Sequence, residues 1–223
     1  MKIKKTGILI YFSLLYTITI FSQSRVPSSV NGVFSNNLDF FAIQKVDDVY
    51  NNGVNEDIKG SPYLFSDWSD IYITVKLKKE ETYHIKGNYN PVLDQFEIVI
   101  KNEKYILNPK SVIQIRRGSQ IFKLGNSLTS YHEELAVGKN VRLIKIYEAS
   151  VMQTQTQTLG LFERKIVLKD SEYILFNDGR TIKLPKSKNK LFELLNTSQK
   201  KQKEYKKFKI KNLSDLSKII QDS

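Results

Sequence analysis

His132-Glu133-Glu134 is the one place in the chain where an imidazole stands beside two carboxylates. Metal-assisted hydrolysis is the chemistry such a group suggests. A helical zinc-protease motif, however, needs a second histidine four residues after the first, on the same face, and position 136 is Ala136. On a strand, His132 and Glu133 point to opposite faces. The chain has two histidines, His84 and His132, and no cysteine. A zinc ligand set, a thiolate nucleophile and a disulfide framework are therefore not expected. Neither a Gly-x-Ser-x-Gly elbow nor a Gly-rich phosphate loop occurs. Glycoside hydrolysis asks only for two acids at a suitable separation. Asp67, Asp70, Asp94, Glu97, Glu133 and Glu134 are candidates among 23 acidic residues, and nothing in their spacing selects a pair. The sequence thus assigns no catalytic, cofactor-binding or metal-ligating residue and implies no cofactor; the binding residues stay open.

The elements that would position these groups are mostly strands. Ile71, Ile73, Val75 and Leu77 alternate with Tyr72, Thr74, Lys76 and Lys78, the period of a half-buried strand. Tyr83, Ile85 and Tyr89, then Phe96, Ile98 and Ile100, repeat the pattern, which puts His84 on a polar, solvated face. Turns are expected at Asn102-Glu103, at Arg116 to Ser119, at Gly138 to Asn140 and at Asn177-Asp178-Gly179-Arg180. Asp-Gly is the strongest of these signals, since it tolerates the positive φ of a two-residue hairpin. No helical period interrupts Ile71 to Leu184, so crossover helices for a parallel sheet are missing. The fold class expected is mainly β, α+β overall: an antiparallel, hairpin-rich sandwich or partly open barrel with short C-terminal helices. Gln153 to Thr158 alternates Gln and Thr without an apolar face and reads as a solvated hairpin extension. Leu38, Phe40, Phe41, Ile43 and Val46 suggest a first strand or short helix.

The N-terminus reads as an address. Lys2, Lys4 and Lys5 precede an uncharged run from Thr6 to Phe21, and Ser22 offers a small residue before Gln23. That order is a secretory signal peptide, with an apolar stretch shorter than a spanning helix needs. The expected organisation is a signal peptide over 1–22, an irregular segment over 23–59 packing on the body, a β-domain over 60–184 and a lysine-rich helical segment over 185–223. No transmembrane helix is expected after cleavage, and the location is periplasmic, extracellular or at the cell surface.

The net charge of +12 belongs mainly to the ends. Three lysines lie in the presumed signal, and Lys183 to Ser223 holds twelve lysines against four acids. The body between is nearly neutral. In the tail Ser187 and Asn212 are expected helix caps. Leu191, Leu194 and Leu195 share one face, and Leu213, Leu216, Ile219 and Ile220 another. Helices this short need a surface to dock on. Every basic residue of the tail is Lys rather than the Arg favoured for bidentate phosphate recognition, and nucleic acid is not an expected partner.

Gly60-Ser-Pro-Tyr-Leu64, followed by Asp67-Trp68, Asn88-Tyr89-Asn90, a Leu-rich helix near Leu191 and a closing helix over Leu213–Ile220, resembles a group of small exported proteins of Bacteroidota-type bacteria. The resemblance spans roughly Gly60 to Ile220. The group's pattern has Gly where Asp70 stands and Arg where Gly87 stands. The resemblance implies a signal peptide, a β-rich body and closing helices; it implies no activity, so no catalytic residue carries over. Physically, Gly60 and Pro62 bend the chain, Tyr63, Leu64 and Trp68 supply bulk for a structural plug, and Asn88 and Asn90 are turn formers. The function expected is an exported, non-catalytic β-domain that binds an envelope protein or polymer. The alternatives are an envelope carboxylate-pair hydrolase and a peripheral binder of anionic surfaces through the C-terminal lysines.

Overall fold

A computed structural model describes residues 42–46, 58–76, 80–125, 130–155 and 162–223. The signal peptide expected over 1–22 lies outside the described residues, as do Leu38, Phe40 and Phe41. Among these described residues, twelve strands form one sheet: β1 (Ala42–Lys45), β2 (Ile58–Lys59), β3 (Ser69–Lys76), β4 (Glu80–Asn90), β5 (Gln95–Ile100), β6 (Glu103–Leu107), β7 (Val112–Arg117), β8 (Gln120–Leu124), β9 (Tyr131–Val137), β10 (Val141–Gln155), β11 (Phe162–Phe176) and β12 (Thr181–Lys183). Three helices follow: α1 (Lys188–Leu194), α2 (Gln199–Glu204) and α3 (Leu213–Gln221). The protein is mainly β, with short C-terminal helices. The segment before Gly60 contributes β1 and β2 to the sheet, so it does more than pack against it.

The strand order is β1-β6-β5-β4-β3-β7-β8-β9-β10-β11-β12, antiparallel throughout except for a short parallel pairing of β2 with β11. Four strand spacings separate β5 from β8, about 19 Å in a flat sheet. Yet the rings of Phe96 on β5 and Phe122 on β8 lie 5.3 Å apart, and Phe96 is 5.1 Å from Tyr131 on β9. The sheet therefore curls strongly around these side chains. It stays open at its edges, a curled sheet that does not close. The enclosed cluster includes Ile71, Ile73, Val75, Tyr89, Phe96, Ile98, Ile115 and Phe122, all 0–1% exposed. Gly87 permits the close approach of β3. A Cβ there would stand 2.3 Å from Ile71 Cδ1 and 3.0 Å from the Glu97 carbonyl oxygen.

The turn at Asn102-Glu103 shifts by one residue. Lys101 and Asn102 carry φ of 50° and 66°, and Glu103 already pairs with Ile100. The turns at Gly118-Ser119, at 138–140 and at 177–180 fall where expected. The hairpin of β10 and β11 is longer than its periodicity suggests, with fifteen residues in each strand paired from Val141↔Phe176 to Gln155↔Phe162. β9 accompanies it only from Arg142 to Lys145, and β12 only from Tyr173 to Leu175. Val151, Met152 and Gln153 are exposed near its tip; residues 156–160 lie outside the described residues.

A second apolar cluster joins Ala136, Val141, Leu143 and Ile174 of the sheet to Leu191, Phe192, Tyr205, Leu216, Ile219 and Ile220 of the tail. The amphipathic stripes thus dock on β9, β10 and β11. Ser198 accepts from the Lys201 N–H to cap α2, and Asn212 accepts from Ser214 and Asp215 to cap α3. Ser187 occupies the cap position of α1, but its side chain makes no capping bond, contrary to expectation. Alternation along β9 and β10 puts both clusters on one face of the sheet. Between them lie Glu133, which accepts the Tyr147 hydroxyl at 2.5 Å, and Lys145, 3.2 Å from Asp170. Glu133 and Lys145 are direct cross-strand neighbours, so a polar seam divides the two clusters.

Candidate functional site

The six acids that could have formed a catalytic pair are each engaged in a structural contact. Glu97, fully buried, accepts from the Tyr63 hydroxyl at 2.8 Å, from Asn90 Nδ2 at 3.0 Å and from Gln95 Nε2 at 3.2 Å. Asp94, held at φ 50°, accepts from the Tyr89 hydroxyl at 2.5 Å and from the Tyr131 backbone N–H at 3.0 Å. That second bond ties the β4–β5 turn to the start of β9 across the curl. Asp67 pairs with Arg117 at 2.9 Å, and Asp70 lies 3.4 Å from His84 Nε2. Glu133 takes the Tyr147 hydroxyl, and Glu134 takes Lys123 at 2.8 Å. The tyrosines pay for this in acidity: burial, helped by the adjacent carboxylate, holds Tyr89 and Tyr147 well above the usual phenol value and pushes Tyr83, beside Glu81, up to about 12.

The plug expected at Gly60 to Trp68 crosses the ends of β3, β4 and β7. Leu64 donates its N–H to the Tyr89 carbonyl at 2.9 Å, and Leu64 and Phe65 pack against the aromatic core. Asn88 differs from the expected turn former. It is buried, and its side chain donates to the carbonyls of Phe65 at 3.0 Å and Asp67 at 3.2 Å, clamping the plug. Asn90 does form a local turn, accepting from the N–H groups of Val92 and Leu93 at 3.1 and 3.3 Å. His84, expected on a solvated face, is half-buried and stacked on Tyr72 at 4.8 Å.

The remaining polar group of interest is on the sheet face opposite the two apolar clusters. Lys123 on β8 is the cross-strand neighbour of His132 on β9, and Glu134 follows two residues on, on the same face. Arg142 on β10 approaches Glu134 with its Nε at 3.7 Å. Lys123, His132 and Arg142 line an open cavity of about 440 Å³, together with Leu124, Leu175 and Phe176. His132 is 1% exposed, and neither ring nitrogen reaches a partner at hydrogen-bond geometry. Burial lowers its pKa, so the ring is neutral near pH 7; nearby Glu134 and the Ser130 backbone offset this only in part. A neutral imidazole presents one N–H donor and one nitrogen acceptor. Glu134 Oε2 is likewise buried without a hydrogen bond. Unpaired buried polar atoms are costly and uncommon, and here three of them gather beside one cavity.

Sequence reasoning singled out His132 in setting a zinc site aside and Glu134 both there and as one of six candidate acids, and no cluster of three or more metal-ligating side chains is found among the described residues. Lys123 and Arg142 carried no signal, because strand register brings them together across a gap of 19 positions. The lysine tail is also partly structural. Lys188 donates to the carbonyls of Lys206 at 2.7 Å, Phe208 at 3.1 Å and Tyr205 at 3.3 Å, and Lys201 donates to the Asp222 carbonyl. No helix among the described residues is long and apolar enough to cross a membrane. Comparison with protein-family profiles, curated proteins and solved structures finds no match for this chain.

Proposed function

We propose that this chain is an exported, non-catalytic β-domain that works at the cell envelope as a binding module, with the cavity beside His132 as its binding site. One observation carries the proposal. Five of the six candidate acids are held in structural contacts, whereas Glu134 Oε2 and an imidazole with neither nitrogen at hydrogen-bond geometry stand beside an open cavity lined by two cationic side chains. Its volume lies within the range of small-ligand sites. The basic, apolar and small order of residues 1–22 supports export.

The test uses the chain from Gln23 onward and envelope material isolated from the producing cells. The protein is expected to sediment with that material, to lose retention when Arg142 is replaced by Gln, and to release no new reducing ends or free amino groups. Product release in proportion to protein concentration would refute the non-catalytic assignment. An exported chain that keeps residues 1–22, seen by intact mass, would refute the signal peptide.

A further inference from the structure

We infer that the cavity lined by Lys123, His132 and Arg142 binds a small organic monoanion: a carboxylate carrying a neighbouring N–H or O–H donor and an apolar arm, as at the C-terminal residue of a peptide. This rests on the cavity being a binding site and adds the chemistry of its ligand. Charge sets the first requirement. Lys123 and Arg142 bring two positive charges, and Glu134, 2.8 Å from one and 3.7 Å from the other, cancels one of them. A single negative charge completes the balance, whereas a phosphate dianion would sit against the buried Glu134 carboxylate. Glu134 engages Arg142 only through a long contact at Nε, and a guanidinium is shaped to hold a carboxylate by two parallel bonds.

Unpaired atoms set the second requirement. Glu134 Oε2 and one nitrogen of the neutral His132 are acceptors without donors, and the other imidazole nitrogen is a donor with the Ser130 backbone near it but no acceptor at full hydrogen-bond geometry. A ligand with a donor next to its carboxylate satisfies both kinds of atom; a simple halide or acetate does not. Leu175, the cross-strand partner of Arg142 on this face, gives the same cavity an apolar contact, which sets the third requirement. N-acetyl-leucine meets all three, with one carboxylate, one amide N–H and an isobutyl group. N-acetyl-leucinamide keeps the amide N–H and the isobutyl group and replaces the charged carboxylate by a neutral carboxamide.

Because the chain has only two histidines, a long-range ¹H–¹⁵N spectrum of the imidazoles reports each ring separately. Millimolar N-acetyl-leucine is expected to shift the His132 signals in a saturable way and to leave His84, on β4, unmoved. N-acetyl-leucinamide and inorganic phosphate are each expected to bind at least about tenfold more weakly, the equivalent of one charged hydrogen bond. Arg142→Gln should weaken N-acetyl-leucine to a similar extent, with Arg142→Lys between the two. Arg142 is substantially exposed, so both variants are expected to fold. Equal responses to the acid and the amide, tighter binding of phosphate, or an Arg142→Gln protein that binds like the parent would each overturn the inference. An unshifted His132 would overturn it too. Envelope retention, measured separately, would then decide whether the broader binding assignment falls with it.

Discussion

Replacing Gly138 by Ala tests how the helical tail is held. Gly138 opens the β9–β10 turn, and its φ lies outside the left-handed region, so the backbone itself accepts alanine. Space does not. A Cβ would stand 2.0 Å from the Ile220 carbonyl oxygen and 3.0 Å from its carbon. That oxygen belongs to the last turn of α3, which must withdraw by more than an ångström. Withdrawal breaks the bond from the Lys139 N–H to the Ser223 carbonyl, 3.1 Å in the parent, and uncovers part of Ile219 and Ile220, now 1% and 0% exposed. One hydrogen bond and about half the burial of two isoleucines sum to about 2–4 kcal/mol. Urea unfolding followed by far-UV circular dichroism would measure the loss. The decisive comparison is a chain truncated after Ile219, in which the obstructing oxygen is absent. Of the three nearest atoms the Val141 carbonyl oxygen, at 3.2 Å, then remains, and alanine restricts the unfolded chain to the benefit of the folded one by about 0.4–1 kcal/mol. The substitution should then fall within about 0.5 kcal/mol of neutral, a strong departure from additivity. Equal losses in both backgrounds would refute the account.

Glu97→Gln should cost about 1–3 kcal/mol by chemical denaturation, because three donors converge on a carboxylate and the amide replaces one acceptor by a donor; parental stability would show that the Tyr63–Glu97 bond is incidental. His132, neutral in the fold, has a pKa below its unfolded value of 6.5, so the unfolded chain binds more protons and stability falls as pH drops below about 6.5. The slope should continue down to the folded pKa, and His132→Gln should remove that part of it while leaving the carboxylate part at lower pH; identical pH profiles for the two proteins would contradict a buried neutral imidazole.

Much of the fold was legible in the sequence because single strands and turns are local. Ile71, Ile73 and Val75 alternate strictly, and Asn177 to Arg180 contains the dipeptide a tight turn requires. The tail's stripes at Leu191 and Leu216 were likewise visible as periods. Curling was not, since it depends on Phe96, Phe122 and Tyr131 meeting across four or five strands. The cavity was still less visible: Lys123, His132 and Arg142 converge through register, and a bulge between Leu143 and Ile144 adjusts that register. Asn88 misled because it looks like a residue for turns and instead bonds a distant stretch of backbone that no local pattern reveals; Lys188 does the same within the tail.

The polar seam of Glu133, Lys145, Tyr147 and Asp170 has a consequence for how the molecule breathes. Cooperative opening spreads through continuous apolar contact, and here that continuity is interrupted between the aromatic core and the helix-covered layer. The two sides, which share only the strands β9 and β10, are therefore expected to open as separate foldons, with amides of the helical layer exchanging before those of the aromatic core in native-state hydrogen exchange. The cavity beside His132, built on those shared strands, is sensitive to both events. A ligand seated there would add its binding energy to the junction between foldons and couple their unfolding.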